Sequence, residues 1–186
     1  VACCGFQIEN VTMRPAAGYS PMVESMETER LSLRRRVEAD AAGNLELRRE
    51  HGDRVPRSLQ EEERHLAELR ARAEENGFGL LTIWRRAEGD AIGYAGLIVG
   101  RSSVDEPEIA YELLQRVHGH GYATEAALAV LDAAFATGRR RVWATVRSWN
   151  AASFRVLDKL AFTRHHSTVD DDGEIVWMLR DLDEAR

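Results

Sequence analysis

Hydrophobic and polar positions along this chain repeat with two periods, two and about 3.6, in alternating blocks. Leu31 and Leu33 alternate with polar neighbours and predict a strand over 28–35. Two helical stretches follow, over 38–50, which Gly43 weakens, and over 58–76. The second is better marked: Ser58 and Glu61 have capping-box spacing, Leu59, Leu66, Leu69 and Ala73 share a face, and Gly77 stops it. Its run Glu61-Glu62-Glu63 reads as a solvated first turn that complements the helix dipole. Residues 78–85 and 91–100 predict a hairpin around Glu88-Gly89-Asp90. A strand over 108–113 precedes a helix over 121–137, with Ala127, Val130, Leu131 and Ala134 on one side. A strand over 141–147, a helix over 150–160, and strands over 162–168 and 174–180 joined at Asp171-Asp172-Gly173 complete the pattern.

The order β-α-α-β-β-β-α-β-α-β-β predicts one α/β domain, a mixed, mostly antiparallel twisted sheet with helices on both faces. The first 25 residues lack sustained periodicity and contain Pro15, Gly18 and Pro21. They are expected to be a poorly ordered extension ahead of a domain spanning 26–186. Residues 1–25 show no basic start or apolar core of a secretory signal, and no apolar run approaches the roughly 18 residues of a membrane span. Cys3 and Cys4 are adjacent, so they cannot staple distant segments or match zinc spacing. A cytoplasmic protein is expected. A net charge of −6 argues against general nucleic-acid binding and suits a cationic substrate such as an amine.

The chemistry concentrates after the strand ending at Leu113, in His118-Gly119-His120-Gly121-Tyr122-Ala123-Thr124. Two glycines turn the backbone so that several N–H groups point one way, and a helix N-terminus adds partial positive charge. Together they form a seat for a phosphate or pyrophosphate. A dinucleotide fingerprint would need a third small residue where Thr124 stands and an acid about 20 residues on. A P-loop would need a lysine where Tyr122-Ala123 follows Gly121.

A second helical unit runs Asn150-Ala151-Ala152-Ser153-Phe154-Arg155-Val156-Leu157-Asp158-Lys159-Leu160-Ala161-Phe162. With both motifs in this order the chain resembles the GNAT superfamily of acetyl-coenzyme A-dependent N-acetyltransferases over about 26–180. It looks most like the branch of the ribosomal-protein N-terminal acetyltransferases. The resemblance implies acetyl-CoA as cosubstrate, no metal, and a pyrophosphate held on a Q/R-x-x-G-x-G/A loop. Here that loop places Gly121 and Ala123 at the small positions and His118 where glutamine or arginine is usual. An alternative register on Arg116, Gly119 and Gly121 starts the helix too early. Gln115 stands where proline is common. By the same resemblance, Leu113, His118, Gly119, His120, Gly121, Tyr122, Ala123, Thr124 and Asn150 contact the coenzyme. The strand ending at Leu113 splays from the next one to receive the pantetheine arm, and Asn150 and Ser153 meet the pantetheine and the thioester end.

The implied reaction is direct attack of an amine on the acetyl thioester, the amine belonging to a protein N-terminus or a small molecule. Glu108 is the candidate base, with Glu112 on the same strand face as the other; Ser153 is the candidate donor to the departing sulfur, with Tyr111 as a second. A non-catalytic module that binds acyl-CoA is the alternative. His165 and His166 are expected to alternate across a strand and so not to share a metal. Trp84, Trp143 and Trp177 are expected in the core or the wall of a substrate cleft, and Trp149, beside Asn150, near the ligand. A homodimer is conceivable through an exposed hairpin over 91–100.

Overall fold

In the computed structural model, which describes residues 18–50, 52 and 57–181, eight strands form one open sheet in the order β1-β2-β3-β4-β5-β6-β8-β7. They are β1 (Ser25–Glu27), β2 (Leu31–Arg35), β3 (Leu80–Arg85), β4 (Ala91–Ile98), β5 (Glu108–Leu113), β6 (Arg141–Arg147), β7 (Thr163–Asp170) and β8 (Gly173–Asp181). Neighbours are antiparallel except β5 and β6, which run parallel. Helices α1 (Ala41–Glu50) and α2 (Leu59–Asn76) connect β2 to β3, α3 (Tyr122–Ala136) connects β5 to β6, and α4 (Ala151–Lys159) connects β6 to β7.

Local signals set the helix ends. The Ser58 hydroxyl accepts from the Glu61 N–H while the Glu61 carboxylate accepts from the Ser58 N–H, closing the capping box of α2. Gly77 then ends that helix at a left-handed φ of 73°. The face of the sheet under α3 and α4 is apolar: Leu33, Ala95, Leu97, Val142, Ala144 and Val146 are buried with Val130, Leu131 and Leu157. The opposite face, toward α1 and α2, carries polar groups. Asp40, just ahead of α1, accepts from Arg34, from the Thr82 hydroxyl and from the Val37 N–H. Burial pushes the Asp40 carboxyl up, but these donors outweigh it and hold it below the ordinary carboxylate range.

The structure corrects several expectations. The strand over 91–100 is not exposed, because β4 is hydrogen-bonded to β3 and β5 on its two edges. Residues 91–100 therefore offer no free edge for pairing between subunits; the outer strands are β1 and β7. Glu62 is not solvated. It is fully buried because the first turn of α2 faces α1, where Asn44 donates to it and Arg57 and Arg48 approach within 3.4 and 3.7 Å. Ahead of β1, the Ser20 N–H donates to Thr137 O, the Met22 N–H donates to Gly77 O, and Met22 is buried. Residues 1–17, including Cys3, Cys4 and Pro15, lie outside the described residues.

At Gly93 on β4 the φ is +148° and an added Cβ would lie 2.0 Å from Glu112 O of β5. Gly93→Ala is expected to cost about 2 kcal/mol of stability, since backbone on β5 cannot yield as a side chain would. Chemical denaturation checks this; an unchanged midpoint would show that the two strands part freely.

Candidate functional site

The parallel pair β5–β6 is the weak seam of the sheet. Its ladder has a single position, Glu108 opposite Trp143, reinforced by the Trp143 N–H donating to Pro107 O at 2.9 Å. Beyond it the strands part, and the opening is bordered by the rest of β5 as far as Leu113. The N-termini of α3 and α4 follow these two strands.

After Leu113 a 3-10 turn (Gln115–Val117) leads into the glycine loop. Gly119 and Gly121 have φ of +79° and +83°, a region in which other residues are strained. An added Cβ at Gly119 would meet nothing, so its backbone angle rather than crowding requires glycine there. Gly121 is the N-cap of α3 and no side chain caps this helix, in contrast to α2 and α4. The positive end of α3 is thus left open to an anion. Both loop histidines are exposed, and each bonds to a main-chain carbonyl. His118 Nε2 donates to Leu113 O at 2.9 Å, and His120 Nδ1 donates to His118 O at 2.8 Å. His118 therefore ties the loop to the end of β5.

At the start of α4 the Asn150 carbonyl accepts from the Ser153 N–H at 3.0 Å, and its amide donates to Ser153 Oγ at 3.0 Å. Both side chains are buried. This arrangement leaves the Ser153 hydroxyl hydrogen to donate elsewhere. The Tyr111 hydroxyl donates to Ser153 O at 3.3 Å, fixing α4 against β5 on the α3 side of the sheet. Glu108 faces the other way. It is 1% exposed, and its carboxylate accepts from the Arg101 N–H and, at 2.6 Å, from the Thr145 hydroxyl. Ser153 and Glu108 thus lie on opposite sides of the sheet, both buried.

Residues 30–163 match the family model of the acetyltransferase (GNAT) domain. The chain belongs to the GNAT acetyltransferase family. No match was found among curated proteins. Solved structures share the fold. An acetyltransferase from Agrobacterium tumefaciens is 25% identical, with 93% of this chain and 98% of that chain covered at a TM-score of 0.68. The ribosomal-protein-S5-alanine acetyltransferase of Vibrio fischeri is 19% identical, with 87% and 98% covered at 0.73. The protein yncA of Salmonella typhimurium, solved with its cofactor acetyl-CoA, is 22% identical, with 84% and 96% covered at 0.68.

Sequence reasoning missed one element beside the glycine loop, a latch from the β1–β2 turn. Glu125, in the first turn of α3, accepts from the Thr28 hydroxyl, the Arg30 N–H at 2.9 Å and Arg30 Nε at 2.7 Å. Arg30 also donates to His120 O at 3.0 Å and stacks over the Tyr122 ring. A cleft beside this latch is lined by Glu29, Arg30, Gly121, Thr124, Leu128 and Lys159, so the one lysine of the chain faces the glycine loop. No local pattern signals the latch, because 95 residues separate Arg30 from Glu125.

His165 and His166 do not alternate. A register shift between Arg164 and His166 bulges β7 and turns both imidazoles to one side, with Nδ1 atoms 2.8 Å apart. They pack with Trp143 and Trp177 on the sheet face that carries Glu108. Among the described residues no third metal-ligating side chain joins them. Trp84 lies partly buried beneath Arg34, and Trp149 is exposed in the connection from β6 to α4. Among the described residues no helix is long and apolar enough to cross a membrane.

Proposed function

We propose that this GNAT protein transfers an acetyl group from acetyl-CoA to a primary amine in the cytoplasm, by direct attack and without an acyl-enzyme. The parting of β5 from β6 beyond the single Glu108–Trp143 position, next to the uncapped N-terminus of α3, carries the reading. The chain's own residues fit the coenzyme. The uncapped N-terminus of α3 with Gly119, His120, Gly121, Tyr122, Ala123 and Thr124 suits a pyrophosphate, and the main chain near Leu113 with Asn150 suits an extended arm. Arg30 and Lys159 stand beside it, together with the carboxylates of Glu29 and Glu125. Acetyl-CoA supplies the reactive thioester; the Salmonella typhimurium neighbour was solved with acetyl-CoA as its cofactor.

In the proposed reaction the acceptor nitrogen bonds to the acetyl carbon as the carbon–sulfur bond breaks. One proton leaves the ammonium for Glu108, and one reaches the sulfur by way of the Ser153 hydroxyl. Deprotonating a lysine at pH 7 costs about 4.6 kcal/mol, an α-amine only about 1–1.4 kcal/mol. An acceptor that is a protein N-terminus or another amine of modest basicity therefore asks less of a general base. The Vibrio fischeri neighbour, a ribosomal-protein-S5-alanine acetyltransferase, supports the same direction.

Calorimetric titration with acetyl-CoA, with NAD as control, tests the coenzyme, and an amine panel then tests transfer. Saturable one-to-one binding of acetyl-CoA alone is expected; no binding would sink the enzyme reading. Binding without turnover on a broad panel would instead favour a non-catalytic acyl-CoA-binding module.

A further inference from the structure

The latch also walls an open cleft of about 570 Å³, with Glu29 and Arg30 on the β1–β2 turn, Gly121, Glu125 and Leu128 along the start of α3, and Lys159 at the end of α4. Gly121 is at the same time the uncapped N-cap of α3, so the cleft is continuous with the glycine loop. Its volume is that of a site for a small molecule. Positions 121, 125 and 128 have the spacing that brings residues to one face of a helix. On that face Leu128 is 51% exposed, whereas Ala127, Val130 and Leu131 of the same helix are buried.

The charged groups of the cleft divide in two. Arg30 and Glu125 satisfy each other, and Glu125 also accepts from the Thr28 hydroxyl. Lys159 and Glu29 have no hydrogen-bond or ion-pair partner among the described residues. The cleft therefore offers an ammonium with its donors, a carboxylate and an apolar side chain. A matching ligand carries an anion for the first, amino or hydroxyl donors for the second and an apolar face for the third. It must also continue from an anion seated on the glycine loop.

Building on the acetyl-CoA reading above, we propose that this cleft receives the 3′-phosphoadenosine end of the coenzyme, with Lys159 binding the 3′-phosphate and the adenine face lying against Leu128. A phosphate monoester carries a charge of about −1.5 to −2 at neutral pH, which suits the compact charge of a lysine. Glu29 repels that group at the turn and leaves it to the α4 side, while accepting from the amino or hydroxyl groups of the nucleoside. The protein thus selects the 3′-phosphorylated coenzyme over its dephospho form. Both forms carry the same thioester arm, so the selection lies in binding and not in the chemical step.

The test is calorimetric titration of the full chain with CoA and with 3′-dephospho-CoA, in the unaltered protein and in Lys159→Gln and Leu128→Ala. Both side chains are exposed, so both variants are expected to fold, which a thermal melt checks. The unaltered protein is expected to bind CoA about tenfold more tightly than dephospho-CoA, the scale of one charge-assisted contact. Lys159→Gln is expected to bind the two equally, by losing affinity for CoA alone. Leu128→Ala is expected to weaken both by a similar factor, about threefold; unmoved affinities there overturn the placement of the base. Equal affinities in the unaltered protein overturn the proposal as a whole. So does a Lys159→Gln that keeps the preference, or one that weakens both ligands alike, which would put the lysine on the pyrophosphate. If neither ligand binds the unaltered protein, the acetyl-CoA reading fails first and this one with it.

Discussion

Glu108→Gln is expected to lower kcat/KM for the acceptor by about 10²–10³-fold, within the range of general base catalysis, while leaving acetyl-CoA affinity unchanged. The substitution isolates charge. A glutamine can still accept from the Arg101 N–H, and its amide can donate to the Thr145 hydroxyl, which rotates to accept. Position and packing at the fork of β5 and β6 are thereby preserved, and thermal stability is expected to change little. Steady-state kinetics paired with calorimetry check this. A fall of threefold or less would reduce Glu108 to a clasp that holds the loop before β5 against β6. A parallel loss of coenzyme affinity would mean that the fork itself had moved.

Reversing the charge of the latch, Arg30→Glu, is expected to weaken acetyl-CoA binding about 100-fold, or about 2.7 kcal/mol. Arg30 holds the Glu125 carboxylate and the His120 carbonyl at once, and both flank the uncapped end of α3. In Arg30→Glu two carboxylates would face each other where the reading places a pyrophosphate. Burial pushes the Glu125 carboxyl up, but the Thr28 hydroxyl and the Arg30 backbone and guanidinium groups outweigh it and hold it below the ordinary range. The stability this latch contributes is therefore complete above the unfolded glutamate value, about 4.3, and is lost as pH falls through the lower native value. The double variant Arg30→Ala with Glu125→Gln separates two effects. If it recovers most of the affinity, Arg30 acts by neutralising Glu125; if not, its bond to the loop or its own charge carries the effect. Undiminished binding in Arg30→Glu would place the pyrophosphate elsewhere.

The glycine loop, the cap of α2 and the cap of α4 could be read from the chain because each is made of neighbours. Ser58 and Glu61 are three residues apart, as are Asn150 and Ser153, and the angles of Gly119 and Gly121 are demands of the backbone itself. Alternation and helical period gave the order of the elements for the same reason, since one face of each must leave water. Edges were harder. The short β1 and the burial of β4 between two partners depend on which strands pair, and periodicity within a strand carries no record of its neighbours.

The mixed sheet, its helices and the open end of α3 at the glycine loop could all be read along the chain, since they rest on contacts within a few residues. Packing of the whole domain set the longer-range partnerships: Arg30 on Glu125, Thr145 on Glu108, Tyr94 on Glu112, and the burial of Glu62. It also decided that a bulge would turn His165 and His166 to one side. These are partnerships across 18 to 95 residues. Charged side chains of this kind read as solvated until the sheet register brings a partner within hydrogen-bonding reach, and register is set by the packing of the whole domain.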